Sequence, residues 1–334
     1  MAEHVYKFEH KPHGLAVIIV NEKFNDQDIR SGAGKDLDNM QTLFNAFDFT
    51  VEVHIDLSAD DMLEELYKAS KKPHAESDCF VCVISTHGEE IKYTHHGKTT
   101  TQHILYGTDY KFNYTSDFTK LFVNCPGLTG KPKLFFIQAC RSSKGHTKQD
   151  LGHEVLVFHE SKSSTDQSKV LEGIAAIQLG AFPTQESNEA CKDQDVSDDA
   201  WQESQLPEKK EERKETFCQE AAEDVIGKDD TSHEWLPPSS IACFKDELIM
   251  WPVVSGLSAP RYPDTGSWML TYLFEELMKI QPKESLLHAL TRVSYKMANE
   301  KSASKINVVS CINHRLCKEI YFTLNQKSLN LKNT

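Results

Sequence analysis

The sequence predicts an α/β fold built on a parallel sheet with helices over both faces. Three observations point to it. Uninterrupted apolar runs recur in the first 140 residues, Leu15–Val20 and Cys79–Ser85 being the clearest, and such runs belong to strands buried on both faces. Stretches with apolar residues at helical spacing separate them. The two kinds of segment alternate, as crossover connections between parallel strands require.

Leu15-Ala16-Val17-Ile18-Ile19-Val20 reads as a buried strand. Residues Asp36 to Phe47 form a helix, with Leu37, Met40, Leu43, Phe44 and Phe47 on one face. Thr50 to Ile55 is a strand, and Asp60 to Ser70 an amphipathic helix burying Met62, Leu63 and Leu66. A strand at Cys79–Ser85, a short helix at Ser116–Val123 and a strand at Leu134–Ala139 follow. From Gly145 to Pro238 the periodicity fails. Ser, Gln, Glu, Asp and Lys dominate there, apart from one apolar patch at Gly173–Phe182, and the segment reads as a mobile linker. Order resumes with a strand at Leu248–Val254 and helices at Ser267–Lys279, capped by Ser267, and Ser285–Asn299. Strands at Ile306–Cys311 and Ile320–Thr323 end the pattern. The chain thus divides into regions 1–144, 145–238 and 239–334, the outer two being parts of one α/β unit.

The net charge of −13 is concentrated: Gln185 to Glu234 holds 17 acids and 6 bases. The remainder is near neutral, which argues against nucleic acid or an anionic membrane as partner. No apolar run is long enough to span a bilayer, and the start of the sequence lacks the pattern of a secretory signal. Nine cysteines without framework spacing fit free thiols in a reducing compartment, which makes the cytoplasm the expected location.

Two predicted strands run into reactive chemistry. Cys79–Ser85 leads to Thr86-His87-Gly88-Glu89-Glu90, and Leu134–Ala139 leads to Cys140-Arg141. Ligand sites of open parallel sheets lie beyond the carboxyl ends of the strands. There His87 would activate the Cys140 thiol as nucleophile. The backbone N–H groups of Gly88 and Cys140 would hold an oxyanion, and Gly88 would let substrate approach closely. Taken alone, a cysteine at a strand end is more often a small buried hydrophobe; the flanking residues give the pair its weight.

Phe136-Ile137-Gln138-Ala139-Cys140-Arg141 and Ser85-Thr86-His87-Gly88-Glu89-Glu90 resemble the active-site segments of metazoan caspases. The cysteine motif and a histidine about 50 residues upstream are an established signature of that family. The likeness extends from Tyr6 to about Ser143 and from about Ile241 to Phe322. It implies a six-stranded, mostly parallel sheet flanked by helices, made of large and small subunits cut from one precursor and paired as a homodimer. It also implies an endopeptidase cleaving after aspartate in apoptosis. The substrate would be an extended peptide of a protein lying beside Leu248–Val254 or the following loop, and upstream caspases and inhibitor proteins would be partners. No cofactor or metal is implied. By position, Arg30, Gln138 and Arg261 match the pocket for the aspartate, whose carboxylate two guanidiniums and an amide would grip. Asp28 would steer His87 through its carbonyl. Asp195, Asp198, Asp199 and Asp224 in the acidic segment are the candidate processing sites, with Asp198 and Asp224 favoured.

Some positions depart from the family pattern. Ser142 replaces a glycine, and Leu257, Ser258, Ala259 and Pro260 stand where executioner caspases carry groove aromatics. The loop between Asn299 and Ile306 is short, while no recruitment domain precedes Tyr6, a feature of executioners. Residues Ile91 to His103 form an insertion that reads as a solvated surface hairpin, its histidines included. Gly32-Ala33-Gly34-Lys35 lacks phosphate-loop spacing. Cys79 and Cys82 lie on opposite faces of one strand, unsuited to a shared metal. A catalytically weak regulator that binds caspases is the alternative function. A protease cutting after Arg or Lys would need an acidic pocket, against Arg30 and Arg261.

Overall fold

The computed structural model describes residues 4–25, 29–95, 98–142, 155–156, 243–300 and 308–325. The first half of the chain supplies β1 (Gly14–Val20), α1 (Ala33–Ala46), β2 (Thr50–Ile55), α2 (Ala59–Ser70) and β3 (Cys79–Ser85). Then come β4 (Gly88–His95), β5 (Lys98–Tyr106), β6 (Phe112–Tyr114), α3 (Thr115–Lys120) and β7 (Lys133–Gln138). The remaining elements are β8 (Val155–Leu156), β9 (Glu247–Trp251), β10 (Pro260–Tyr262), β11 (Gly266–Ser267), α4 (Trp268–Leu277), α5 (Leu286–Ala298) and β12 (Cys311–His314).

Six strands form the central sheet in the order β12-β9-β7-β3-β1-β2. All its pairings are parallel except β9 with β12. Alternate residues of each inner strand feed two separate cores. Ala16, Ile18, Val20, Val81, Val83, Leu134 and Phe136 pack on one face with residues of α1, α4 and α5. Leu15, Val17, Ile19, Phe80, Ile84, Phe135 and Ile137 pack on the other with residues of α2 and α3. Burial on both faces explains why these strands read as unbroken apolar runs. Cys79 and Cys82 fall in different cores, as a strand's period of two dictates.

Two smaller sheets complete the fold: β4-β5-β6, in which the hairpin expected at Ile91–His103 extends to Gly88 and Tyr106 and gains a third strand, and β11-β10-β8, which was not predicted. Other elements depart in their bounds. α1 begins earlier than expected because Gly32, at φ +89°, lets the chain turn where a Cβ would lie 2.5 Å from the Tyr262 carbonyl oxygen. Ser267 sits at the start of α4, yet its hydroxyl makes no cap and donates to Asp36 instead. Ser285 does cap α5, accepting from the His288 N–H. The last sheet strand is Cys311–His314, later than the expected Ile306–Cys311, of which residues 306–307 lie outside the described residues. Ile320–Thr323 joins no sheet; Ile320 and Phe322 bury their side chains in the core instead. Burial alone accounts for the apolar pattern that suggested a strand there.

Candidate active site

β3 and β7 are parallel neighbours in the register Ser85↔Gln138. His87 and Cys140 each lie two residues past that pair, at the carboxyl end of the sheet on strands about 5 Å apart. The Thr86 N–H donates to the Gln138 carbonyl at 3.1 Å, which carries the pairing beyond the strand ends. A Cβ on Gly88 would fall 2.8 Å from the Ala139 Cβ and 2.9 Å from the Cys140 carbonyl oxygen. Glycine at 88 therefore answers to packing against the Cys140 segment, a demand that the substrate-approach reading does not include. The Tyr106 N–H donates to the His87 carbonyl, which makes 87 and 106 a hydrogen-bonded pair. The following pair, Gly88↔Leu105, then turns its N–H groups away from the partner strand.

Cys140 is 0% exposed, and the Ala259 N–H donates to its Sγ at 3.3 Å. His87 is buried with its ring 4.7 Å from Phe24. The loop between β9 and β10 therefore lies over the thiol. Arg141 anchors that loop. Its N–H donates to the Leu257 carbonyl and its carbonyl accepts from Gly256. Its guanidinium donates to Glu90 through Nε at 2.8 Å and stacks over Trp251 at 4.8 Å. Ser255 donates to the same Glu90 carboxylate. Ser142, the residue in place of glycine, is buried, and its carbonyl accepts from the Glu90 N–H at 3.2 Å, so the local backbone stays bound.

Arg30, Gln138 and Arg261 converge beside this crevice, all 3% exposed or less. Arg30 donates to the Asn21 carbonyl at 2.6 Å and to Ser85 Oγ at 3.3 Å. Ser85 donates to Asp36, whose other carboxylate oxygen accepts from both the N–H and the hydroxyl of Ser267. Ser267 pairs with Arg261 across β10 and β11. Gln138 adjoins Ser85 in the sheet, and neither its amide nitrogen nor its oxygen has a hydrogen-bond partner among the described residues. Burying an amide without partners is costly, so Gln138 has donors and an acceptor to offer a polar group. Ser258 is half-buried, while Ala259 and Pro260 are buried, the latter opening β10.

Sequence reasoning missed the floor of this pocket, Asp36, Ser85 and Ser267, because contacts across 49 and 231 positions leave no local pattern. It also misplaced His103. That residue is 2% exposed at the base of the hairpin rather than solvated. The signal was present: in a strand, His103 shares the face of Leu105, which packs in the core. Of the two expected peptide positions, the one beside Leu248–Val254 needs correction, since β9 is flanked by β7 and β12 and offers no free edge, which leaves the loop after it. Asp28, the four linker aspartates and the Asn299–Ile306 loop beyond residue 300 lie outside the described residues. Among the described residues no cluster of His, Cys, Asp or Glu could hold a metal, and no helix is long and apolar enough to cross a membrane.

A mostly parallel α/β sheet that ends in a Cys–His pair beside a buried cationic pocket defines a cysteine peptidase of the caspase type. The chain belongs to the caspase family: the model of the caspase domain matches residues 13–321. It is 26% identical to caspase-3 of Bos taurus over 96% of this chain and 88% of that protein. It is 26% identical to caspase-7 of Gallus gallus over 95% of this chain and 79% of that protein. The crystal structure of caspase-1 from Spodoptera frugiperda superposes with a TM-score of 0.60 at 21% identity, covering 98% of this chain and 96% of that one.

Proposed function

We propose that this chain is an active endopeptidase that cleaves proteins after aspartate, with Cys140 as nucleophile and His87 as general base. One observation carries the reading: Arg30, Gln138 and Arg261 are buried together beside the strand ends that bear Cys140 and His87. A carboxylate entering that pocket meets two guanidiniums in low dielectric, where charge-assisted bonds are strongest. A neutral isostere would forgo those charge-assisted bonds, which is the basis of discrimination. Cys140 attacks the aspartate's own backbone carbonyl carbon, and the N–H groups of Gly88 and Cys140 receive the oxyanion. His87 then protonates the leaving amine, and water hydrolyses the thioester.

The uncut chain acts as a zymogen in this reading. β8 pairs with Pro260 and Arg261 on one edge of β10, and β11 takes the other. An extended peptide needs a strand edge, so β8 must leave β10 first. Cleavage at Asp195, Asp198, Asp199 or Asp224 would part region 1–144 from region 239–334 as large and small subunits and release that contact. Two such pairs would join as a homodimer through the β12 edge, where Cys311, Ile312 and Asn313 are half-exposed. We assign the protein an executioner-like role in apoptosis in the cytoplasm, with protein substrates, upstream caspases and inhibitor proteins as partners.

The test is labelling with an irreversible tetrapeptide fluoromethyl ketone carrying aspartate next to the warhead, followed by peptide mapping. The expected adduct is on Cys140. No adduct, or one on another cysteine, contradicts the assignment.

A further inference from the structure

The family's usual machinery does not account for His103. It enters the chain in β5, opposite Glu90 of β4, and its ring is buried. Nε2 lies 2.9 Å from the Cys140 carbonyl oxygen and Nδ1 lies 2.7 Å from Thr115 Oγ1, the first residue of α3. Its ring meets that of Trp251 edge to face at 6.4 Å, and the Arg141 guanidinium stacks on the same Trp251.

A carbonyl oxygen can only accept, so the Nε2 atom must carry the proton and donate it to Cys140. Nδ1 then accepts from the Thr115 hydroxyl, and both ring nitrogens are satisfied in one neutral tautomer. Burial together with the nearby Arg141 charge opposes protonation and holds this histidine down at about 3.

The peptide that follows the nucleophile is thereby pinned at both ends. Its carbonyl is held by His103, and its N–H, that of Arg141, donates to the Leu257 carbonyl at 2.9 Å. We propose that His103 is a positioning residue for the protease reaction, holding the Cys140 carbonyl turned into the protein and away from the crevice. The proposal rests on the protease reading above. Its physical content is electrostatic. A carbonyl dipole swung towards the crevice would oppose the negative charge that develops on the substrate oxygen, and preorganised dipoles are a large part of such catalysis. The contact fixes the backbone of Cys140 and leaves the Arg30–Gln138–Arg261 pocket untouched, so it acts on kcat and spares KM.

The experiment compares wild type, His103→Leu and His103→Gln on an aspartyl tetrapeptide substrate, with the wild-type imidazole tautomers read by 1H–15N NMR from pH 5 to 8. The Leu variant should lose about tenfold to a hundredfold in kcat with KM within about twofold, below the ~10²–10³-fold for losing a direct oxyanion donor. The Gln variant, whose amide nitrogen can donate in place of Nε2, should recover most of that loss. The His103 ring should remain neutral and protonated on Nε2 throughout. Undiminished kcat in the Leu variant, parallel changes in kcat and KM, or a Gln variant as weak as Leu would overturn the proposal. If the Leu variant does not fold, the NMR result decides: a charged ring or the Nδ1–H tautomer overturns it. Wild-type protein without turnover would instead count against the protease reading, while the NMR measurement still decides the hydrogen bond.

Discussion

At Arg141 a buried guanidinium is matched on every side: Glu90 takes its charge, the Val253 carbonyl accepts from Nη1, and Trp251 lies under its plane. Such an ion is stable only while its partner remains, because desolvation has already been met and the Coulomb term offsets it. Glu90→Gln should therefore destabilise the protein by about 3–5 kcal/mol, read from chemical denaturation. A loss under about 0.5 kcal/mol, typical of a surface site, would show that the pair is not what holds the loop. Arg261 is a different case, since it belongs to the proposed aspartate pocket rather than to the loop's anchor. Arg261→Ala should lower kcat/KM for aspartyl peptides by about 2–5 kcal/mol, roughly 30-fold or more. Equal losses for peptides bearing asparagine would contradict a pocket selective for the carboxylate. Cys140, His87 and Arg261 could be named from the sequence because short flanking motifs surround them. Asp36 and His103 were not, since what each does depends on residues that only folding brings near.

Among the elements, β1, β3 and β7 were read to within a residue, since two-sided burial writes itself as an apolar run, while β9 ends three residues before the expected Val254. Short pairings such as β8 with β10 carry no such pattern: two residues make the strand, and its partner is about a hundred positions away. The β8–β10 contact makes its own prediction. Val155→Pro removes the ladder donor of this short pair, because Pro260 has no N–H to give, and should raise kcat/KM of the uncut chain at least about threefold if β8 obstructs the peptide edge, a gain of about 0.65 kcal/mol. Unchanged activity would count against that obstruction. In β9, burial lifts the carboxyl of Glu247 to about 7, beside Lys133, which burial pushes below its usual value. Glu247 thus holds its proton more tightly folded than unfolded. Its contribution to stability is complete below its unfolded value of about 4.3 and is lost as pH rises through about 7. Denaturation of Glu247→Gln at several pH values should show a flatter profile between about pH 5 and 8 than wild type; the same slope would contradict this assignment.

For the whole molecule, two separated stretches of sequence build one sheet. Region 1–144 supplies β1, β2, β3 and β7, and region 239–334 supplies β9 and β12. The crevice needs both, with Cys140 and His87 from the first and Ala259 and Arg261 from the second. The sequence showed the split as a loss of periodicity, but it could not show that the second piece lies over the thiol. Cutting between the pieces should leave them associated through the β7–β9 ladder and both cores, as size exclusion after processing would show; separation into two species would contradict it. The most direct measurement is hydrolysis of a tetrapeptide library varied at the cleaved position by the processed protein and by its Cys140→Ala variant. Turnover confined to aspartate and abolished by the substitution is the predicted result. Turnover after asparagine or arginine at a comparable rate, turnover that survives Cys140→Ala, or none in the wild type would contradict it.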